Sequence, residues 1–204
     1  DLRPGVVVNE VEHRVPRELE PADNRLGVGA GELDDLVQVQ KVAVYHRDGV
    51  AFFVHAAPAG APGHLVVLLA VEVAVETLSE YPAKRRIAVL GDMKELGKFS
   101  QSEHERIGEM LRAKDVWFLF AVGKEAKYFA EGARKSGFDT AKIFELDNAT
   151  EAGEAVKQII QEGDLILVKG SQSARMEKAV EKIMAHPENK ETFLVRQEEE
   201  WKNK

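Results

Sequence analysis

Residues 86–97 read RIAVLGDMKELG, an apolar run that stops at Gly91-Asp92 and is closed by a second glycine, Gly97. A short continuous apolar run with a breaker at its end is typical of a buried β-strand. The same pattern recurs further along the chain, in residues 116–123, 141–146 and 164–171. Segments with the apolar spacing of an amphipathic helix follow each run, in residues 100–114, 124–137, 148–163 and 174–185.

Strand and helix therefore alternate four times, and the strands are apolar throughout. This pattern is typical of a parallel sheet that is covered by helices on both faces, so we predict an α/β, Rossmann-like fold with a mostly parallel sheet. Right-handed crossovers place the carboxyl ends of parallel strands on one edge, and open sheets of this kind bind ligands there. We call this edge the rim, and we expect residues 91–92, 122–124 and 169–171 to meet on it.

The rim is the best candidate for a functional site, because three of the four predicted strands end in glycine with a polar neighbour. Glycine lets a backbone approach a ligand closely, and the helix N-termini beyond the rim would offer N–H groups to anions. Lys124 and Lys169 would add positive charge, and Asp92 would add an acceptor. The alternative is that each glycine simply makes the turn from strand to helix.

The composition of the chain changes near residue 76. Residues 1–76 contain no Ser, Thr or Ile and a single lysine, Lys41, whereas all four types are frequent afterwards. The first part has 12 acidic and 6 basic residues, a net charge of −6, which leaves 23 acidic and 22 basic residues, net −1, in the second. Two interpretations stay open, an N-terminal domain of unusual composition or a foreign or mistranslated leader.

The first part nevertheless contains patterns of secondary structure. Residues 4–15 and 34–56 alternate well enough to predict strands, with a hairpin turn at residues 46–49. Residues 65–81 are predicted to form one helix, which Pro82 ends. We therefore expect an irregular or weakly β N-terminal segment before the α/β domain.

Composition and charge argue against several functions. A formal net charge of −7 does not suit a general nucleic-acid binder, and no apolar stretch is long enough to span a bilayer. The lack of cysteine and of a signal-peptide pattern favours a cytoplasmic protein. His46, His55 and His64 do not have the spacing of metal ligands, so we predict no metal site.

Three predictions concern side chains of the helix predicted at residues 100–114 and of the strand predicted to follow it, residues 116–123. We expect His104 to be solvated or to cap a helix rather than to act in catalysis. Ser102 with Glu105 has the pattern of a capping box at a helix start. Trp117 and Phe118 lie within a predicted strand and are expected to be core residues.

Four segments together resemble a known family. The C-terminal domain of the Mur ligases has, in the same order and spacing, segments like RRIAVLGDMKELG (residues 85–97), SEHERIG (102–108), FAVGKEAKYFAEGA (120–133) and GDLILVKGSQSARMEKAV (163–180). The resemblance covers about residues 73–190. It divides the chain into an unassigned leader, a Mur ligase C-terminal-like α/β domain and a charged tail, at residues 1–72, 73–190 and 191–204.

The resemblance implies an ATP-dependent, amide-bond-forming ligase of peptidoglycan synthesis that uses ATP and Mg²⁺. Its substrates would be UDP-N-acetylmuramoyl-tripeptide and D-alanyl-D-alanine, joined through an acyl phosphate. The C-terminal domain would be a lid over a central ATPase domain, with a cleft lined by Asp92, Met93, Lys169, Gly170 and Ser171. Lys169 and Ser171 would contact the dipeptide or a phosphate, whereas Asp92 would order the turn. His104 also matches a family position, where it would have a structural role, and no residue of the chain is implied to be catalytic.

The chain also departs from the family pattern. Residues 64–82 read HLVVLLAVEVAVETLSEYP where the family has a YNANP-like nucleotide-binding segment, and the chain has no P-loop. We therefore expect that the chain by itself has no ligase activity and needs the central and N-terminal ligase domains as partners. Two alternatives remain, a stand-alone flavodoxin-like α/β ligand-binding module without catalysis, and a non-enzymatic interaction protein whose working part is residues 1–76.

Overall fold

A computed structural model describes residues 6–8, 39–46, 49–56 and 63–194. The strands are β1 Val6–Val8, β2 Val39–His46, β3 Gly49–Ala56, β4 Arg85–Gly91, β5 Val116–Val122, β6 Ile143–Leu146 and β7 Asp164–Lys169. The helices are α1 Gly63–Glu80, α2 Ser100–Ala113, α3 Lys127–Lys135, α4 Ala149–Ile159, α5 Glu177–Ile183 and α6 Lys190–Phe193. The four predicted strands and the helices after them are confirmed.

The strands form one sheet in the order β1-β3-β2-β7-β4-β5-β6. The four strands β7, β4, β5 and β6 are parallel, which confirms the α/β prediction. At the other side of β7, strand β2 pairs antiparallel, with Ala43 opposite Val168. Strands β2 and β3 form the predicted hairpin, closed by the pair His46 and Gly49, while the turn residues 47–48 lie outside the described residues.

Helices cover both faces of the parallel strands. Alternate residues of β4 point to opposite sides, Ala88 and Leu90 to one core cluster and Ile87 and Val89 to the other. The first cluster also contains buried residues of α1, α2 and α3, and the second contains buried residues of α4 and α5. Since both faces are buried, the central residues of β4, β5 and β7 need to be apolar on both sides of the strand, which is the pattern in the sequence.

Two glycines let α2 and α3 pack closely. A Cβ on Gly108 would overlap the carbonyl oxygen of Phe129, and a Cβ on Gly132 would overlap that of Glu105. Any larger side chain at either position would push the helices apart. This close contact brings the first turns of α2 and α3 together beside the rim.

The opposite edge of the sheet is fastened by a buried ion pair between neighbouring strands. Arg85 at the start of β4 donates to both carboxylate oxygens of Asp164 at the start of β7, at 2.7 and 2.5 Å. The Arg85 guanidinium also donates to the carbonyl of Ile159, and the backbone N–H of Gln161 donates to Asp164. The Asp164 carboxylate is therefore fully satisfied where β4 and β7 begin.

Trp117 differs from its predicted place in the core, because its side chain is 40% exposed. Strand β6 pairs with β5 only from Leu119 onward, and the pairing of β5 with β4 skips Trp117 at a register shift, so Trp117 has no partner residue on either neighbouring strand. The Lys142 Nζ lies 5.0 Å from the centre of its ring. Phe118 is partly buried against the second core cluster, as predicted.

The ends of the predicted domains fall within helices. The boundary predicted at residue 72 lies inside α1, whose Leu68 and Val71 are both buried in the first core cluster. The tail predicted at 191–204 begins inside α6, and Leu194 just after that helix is buried in the second cluster. Among the described residues, no helix is long and apolar enough to cross a membrane.

Candidate functional site

The rim forms where the crossing direction of the chain reverses. From β4 the chain moves outward to β5 and β6, and it then returns to β7 on the other side of β4. The helix after β4 packs on one face of the sheet and the helix after β7 on the other. Such a switch point is where open α/β sheets bind ligands. It places residues 91–92 beside residues 169–171, as predicted, and 122–124 lies on the other side of β4.

Asp92 joins the ends of three strands. Its backbone N–H donates to the carbonyl of Val122 on β5 at 3.1 Å, and its carbonyl accepts from Ser171 after β7 at 2.9 Å. Its carboxylate Oδ1 accepts from the backbone N–H groups of Glu125 and Ala126, both at 2.9 Å. The side chain is buried, and it joins the turn after β4 to the turn after β5.

The same hydrogen bonds correct one expectation. The N–H groups at the start of α3 were expected to be offered to an anionic ligand, but Asp92 already occupies them. A carboxylate at a helix N-terminus is stabilised by these donors and by the helix dipole, so the chain supplies its own anion there. The positive charge that stays accessible at this part of the rim belongs to side chains.

Lys94 is the cation that the sequence reasoning missed. Its Nζ lies 3.0 Å from Asp92 Oδ2, and its side chain remains 51% exposed. The pair holds the ammonium group above the turn while leaving much of it open to solvent. Its position two residues after Asp92 was the available signal. Lys124, which was predicted, is also exposed, in the turn after β5.

Lys169 ends β7 in a buried position, with only 5% of the residue exposed. It lies beside Leu90 of β4, one residue before the point where the two strands separate. A lysine is rarely buried to this extent, since an ammonium group loses its hydration there. Lys169 is therefore part of the sheet's end and not a freely moving surface charge.

Gly170 and Gly91 meet each other and leave no room for a ligand between them. A Cβ on Gly170 would lie 3.0 Å from Gly91 Cα and 2.8 Å from Met176 Cγ. A Cβ on Gly91 would lie 2.6 Å from Met176 Sδ and 3.0 Å from Ala174 Cβ. The space expected for a ligand's approach is thus filled by the segment that follows β7. Gly91 is buried there, whereas Gly170 stays partly exposed, and its place in the cleft remains a prediction.

Gly123 is required for two reasons at once. Its φ of +110° lies in a region that side chains disfavour, and a Cβ there would lie 2.6 Å from Asp92 Oδ1. Its backbone N–H donates to the carbonyl of Leu146 on β6 at 2.8 Å. The turn after β5 is therefore shaped around the Asp92 carboxylate.

Ser171 is the predicted site residue that presents a polar side chain at the surface of the rim. It is partly exposed, and its Oγ lies 3.2 Å from the Oγ of Ser173. Its backbone begins the short 3-10 turn Gln172–Ala174. That turn leads to Arg175 in a left-handed conformation with φ of 51°, whose guanidinium is paired with the buried Glu177. This ion pair was not predicted.

Met93 and His104 differ from their predicted places. Met93 as a whole residue is only 2% exposed, and its side chain belongs to the first core cluster, so it is packed inside the chain beneath the rim. His104 is fully buried rather than solvated. Its Nε2 accepts from the Met93 N–H at 3.0 Å, and its ring lies 4.6 Å from that of Phe129. Burial is the main cause that lowers the pKa of His104.

The start of α2 also differs from the predicted capping box. The helix begins at Ser100, after the 3-10 turn Gly97–Phe99, so Ser102 already lies inside it. Its hydroxyl donates to the carbonyl of Phe99, while Glu105 pairs with Lys135 of α3. Ser100 instead donates to Glu125 at 3.0 Å, which links α2 to the turn after β5.

Within the described residues, no group of three or more histidine or acidic side chains is placed to hold a metal ion. The candidate site is therefore an ordered edge of the sheet with exposed Lys94 and Lys124, a partly exposed Ser171 and the buried Lys169. These groups can bind an anion or a polar small molecule, but they include no nucleophile with an adjacent base.

Comparison with protein families gives a match over residues 68–172, to the family described as "Mur ligase, glutamate ligase domain". Similar proteins include three named UDP-N-acetylmuramoyl-tripeptide–D-alanyl-D-alanine ligase. The one from Escherichia coli is 38% identical over 110 residues, 52% of this chain and 22% of that protein. Those from Bacillus subtilis and Synechocystis are each 32% identical and cover 55% and 54% of this chain and 24% of their own length. The chain thus spans about a quarter of these relatives.

Solved structures similar to this chain include two MurF ligases. The MurF of Acinetobacter baumannii is 26% identical with a TM-score of 0.49, over 57% of this chain and 26% of its own. The MurF ligase of Thermotoga maritima in complex with ADP is 24% identical with a TM-score of 0.47, over 61% of this chain and 26% of its own.

Proposed function

Because this chain belongs to the Mur ligase family, whose glutamate ligase domain its residues 68–172 match, we propose that it is the lid part of a ligase. The complete enzyme would use ATP to join D-alanyl-D-alanine to UDP-N-acetylmuramoyl-tripeptide in the cytoplasm. This substrate pair is supported by the relatives named UDP-N-acetylmuramoyl-tripeptide–D-alanyl-D-alanine ligase, which match this chain over 110 to 112 residues. The other ligase domains would be its protein partners.

The observation that carries the proposal is the ordered rim at the switch point. One carboxylate, Asp92, fixes the turns after β4 and β5, and its main chain also fixes the turn after β7. An edge with this rigidity can present charged groups to a partner domain in a constant geometry. A lid needs that property, because a catalytic arrangement that is misplaced by about 1 Å loses much of its rate.

The chemistry of amide formation explains what such a lid has to do. The tripeptide carboxylate, a poor acyl donor, would attack the γ-phosphorus of ATP, the bond between the β- and γ-phosphates would break, and ADP would leave, which gives an acyl phosphate. The amine of D-alanyl-D-alanine then attacks the acyl carbon, the C–O bond to phosphate breaks, and the amine loses its proton. Water would compete with that amine. A closed lid excludes water, and cations at its edge stabilise negative charge on phosphate oxygens.

The residues of this chain would divide that work. Lys94 and Lys124 reach solvent at the rim and fit an anionic phosphate by charge. We assign Lys169 and Ser171 to the dipeptide or a phosphate, with Asp92 positioning the turn. Among the described residues, no group of three or more histidine or acidic side chains is placed to hold a metal ion. The resemblance implies Mg²⁺ for the complete enzyme, and we assign no residue of this chain to it.

A chimeric ligase tests the proposal. In the Bacillus subtilis relative, residues 63–194 of this chain would replace the matching C-terminal segment, and amide formation from ATP, tripeptide precursor and D-alanyl-D-alanine would be measured. We expect the chimera to form the amide and the 204-residue chain alone to form none. A folded chimera without activity, or turnover by the chain alone, would contradict the proposal.

A pair of lysine variants in the chimera tests the role of the rim. Lys169→Met removes the buried ammonium group and keeps most of the side-chain volume. We expect it to slow amide formation, to an extent that depends on the concentration of dipeptide or ATP. Lys142→Met is the matched control, because Lys142 lies beside Trp117 at the opposite end of the sheet. Equal losses for both variants would show that Lys169 has no special place in the reaction.

A further inference from the structure

His104 contacts both ends of the loop between β4 and α2, which is residues 92–99. The backbone N–H of Met93, at the start of the loop, donates to His104 Nε2 at 3.0 Å. At the other end, His104 Nδ1 lies 2.7 Å from the carbonyl oxygen of Ser100. One buried side chain thus closes a loop that carries the exposed residues Lys94, Lys98 and Phe99.

These two contacts define the protonation state of the ring. A carbonyl oxygen can only accept, so Nδ1 carries the hydrogen, and Nε2 accepts from the Met93 N–H through its lone pair. The imidazole is therefore neutral. A second proton on Nε2 would place an N–H against the Met93 N–H, and that hydrogen bond would be lost.

We propose that His104 is the positioning residue of the rim, which holds the β4–α2 loop closed as the neutral Nδ1–H tautomer and releases it when the ring is protonated. The loop begins at Asp92, whose carboxylate caps α3. Release would therefore also loosen the geometry in which Lys94 and the α3 start are held. This inference stands on contacts within the chain and does not depend on the proposed function.

Charged groups on three sides influence the ring. Asp92 from the end of β4 and Glu125 from the turn before α3 favour the protonated form, whereas Lys94 opposes it. The Ser100 carbonyl also favours a proton, and Phe129 of α3 contributes an apolar ring. Burial outweighs these effects and lowers the pKa of His104. We therefore expect the loop to be closed at neutral pH and to open at acidic pH, where the ring becomes protonated.

Nuclear magnetic resonance of the ¹⁵N-labelled full chain tests the proposal. A long-range ¹H–¹⁵N spectrum of the imidazoles should show His104 as the Nδ1–H tautomer near neutral pH. On titration from about pH 8 to about pH 5, the amides of the β4–α2 loop should change with the same midpoint as the His104 ring. A proton on Nε2, or loop amides that ignore the His104 titration, would overturn it.

Two variants separate positioning from packing. His104→Gln keeps an acceptor for the Met93 N–H but cannot titrate in this range, so the loop should stay closed and its pH response should vanish. His104→Leu has no acceptor, and the Met93 amide should exchange with solvent roughly tenfold faster than in the parent chain. Leu111→Ala, two turns along the same helix and fully buried, is the control for general destabilisation.

The outcomes are distinct. A faster Met93 exchange in His104→Leu but not in Leu111→Ala, each relative to the amides of β5, supports the proposal. Equal acceleration in both variants would overturn it, because His104 would then act through packing alone. If His104→Leu does not fold, the titration of the parent chain and of His104→Gln decides the question.

Discussion

At the scale of single residues, the site is organised by a carboxylate that turns inward. In the sequence, Asp92 looks like a polar group offered to a ligand at the end of a strand. In the structure its side chain satisfies two backbone N–H groups of the α3 start and pairs with Lys94. The accessible charge of the candidate site therefore belongs to side chains that Asp92 holds in place, above all the exposed Lys94.

Asp92→Ala tests this view of the turn. The change leaves the N–H groups of Glu125 and Ala126 without their acceptor, and we expect it to lower the free energy of unfolding by about 1–3 kcal/mol. Asp92→Asn is the matched control, since its amide oxygen can still accept both bonds, and it should lose less than half as much. Chemical denaturation of both variants measures this, and equal losses would mean that the cap contributes little.

His104 gives a pH dependence of stability with a defined sign. Burial lowers its pKa in the folded chain below the ordinary value of 6.5, so the unfolded chain takes up the proton first as the pH falls. The contribution of the neutral ring is complete above about pH 6.5 and is lost as the pH falls toward the folded-state pKa, at up to about 1.4 kcal/mol per pH unit. The free energy of unfolding, measured by urea denaturation at several pH values in this range, should change less with pH in His104→Gln than in the parent chain. An identical pH dependence of the free energy of unfolding in both chains would contradict the buried neutral ring.

At the scale of elements, the elements were predictable and their ends were not. Apolar runs and helical spacing predicted β4 to β7 and the helices between them, because periodicity reflects which faces are buried. The start of α2 at residue 100 was predicted, but the capping box was wrong, because a 3-10 turn precedes the helix and Ser102 already lies inside it. Trp117 was misplaced because exposure at a strand's start depends on where its neighbour begins.

The turn after β5 shows why one glycine differs from another. Gly123→Ala places a Cβ 2.6 Å from the Asp92 carboxylate in addition to an unfavourable φ of +110°. Gly97→Ala is the matched control, since its φ of +54° is also positive but nothing lies within 4 Å. We expect Gly97→Ala to lower the free energy of unfolding by about 1–2 kcal/mol and Gly123→Ala to lower it clearly more, as measured by thermal denaturation. Equal melting temperatures would contradict the close approach.

The pairing of β4 with β7 rests in part on the ion pair at their starts. Arg85→Ala leaves the Asp164 carboxylate, 1% exposed, without its bidentate partner. We expect a loss of about 3–5 kcal/mol in the free energy of unfolding, as is usual when one member of a buried pair is removed. Arg134→Ala breaks the exposed pair with Glu145 and should lose at most about 1 kcal/mol. Similar losses of unfolding free energy for Arg85→Ala and Arg134→Ala would show that the Asp164 carboxylate is solvated.

At the scale of the whole molecule, the sequence could predict that the strand ends share one edge but not which of them are neighbours. Alternation of strand and helix implies a parallel sheet, and right-handed crossovers gather the carboxyl ends. The return of the chain to the far side of β4, which sets the switch point between Gly91 and Gly170, depends on packing between distant segments. For the same reason the filling of that gap by Ala174 and Met176 could not be foreseen.

The most direct test of the rim as the working face is a titration of the ¹⁵N-labelled chain with D-alanyl-D-alanine, with L-alanyl-L-alanine as control. Our proposal predicts saturable shifts, for the D,D-dipeptide alone, in amides of residues 91–97, 123–126 and 169–175. Shifts centred on Trp117 and Lys142 at the opposite end of the sheet, or identical responses to both dipeptides, would contradict it.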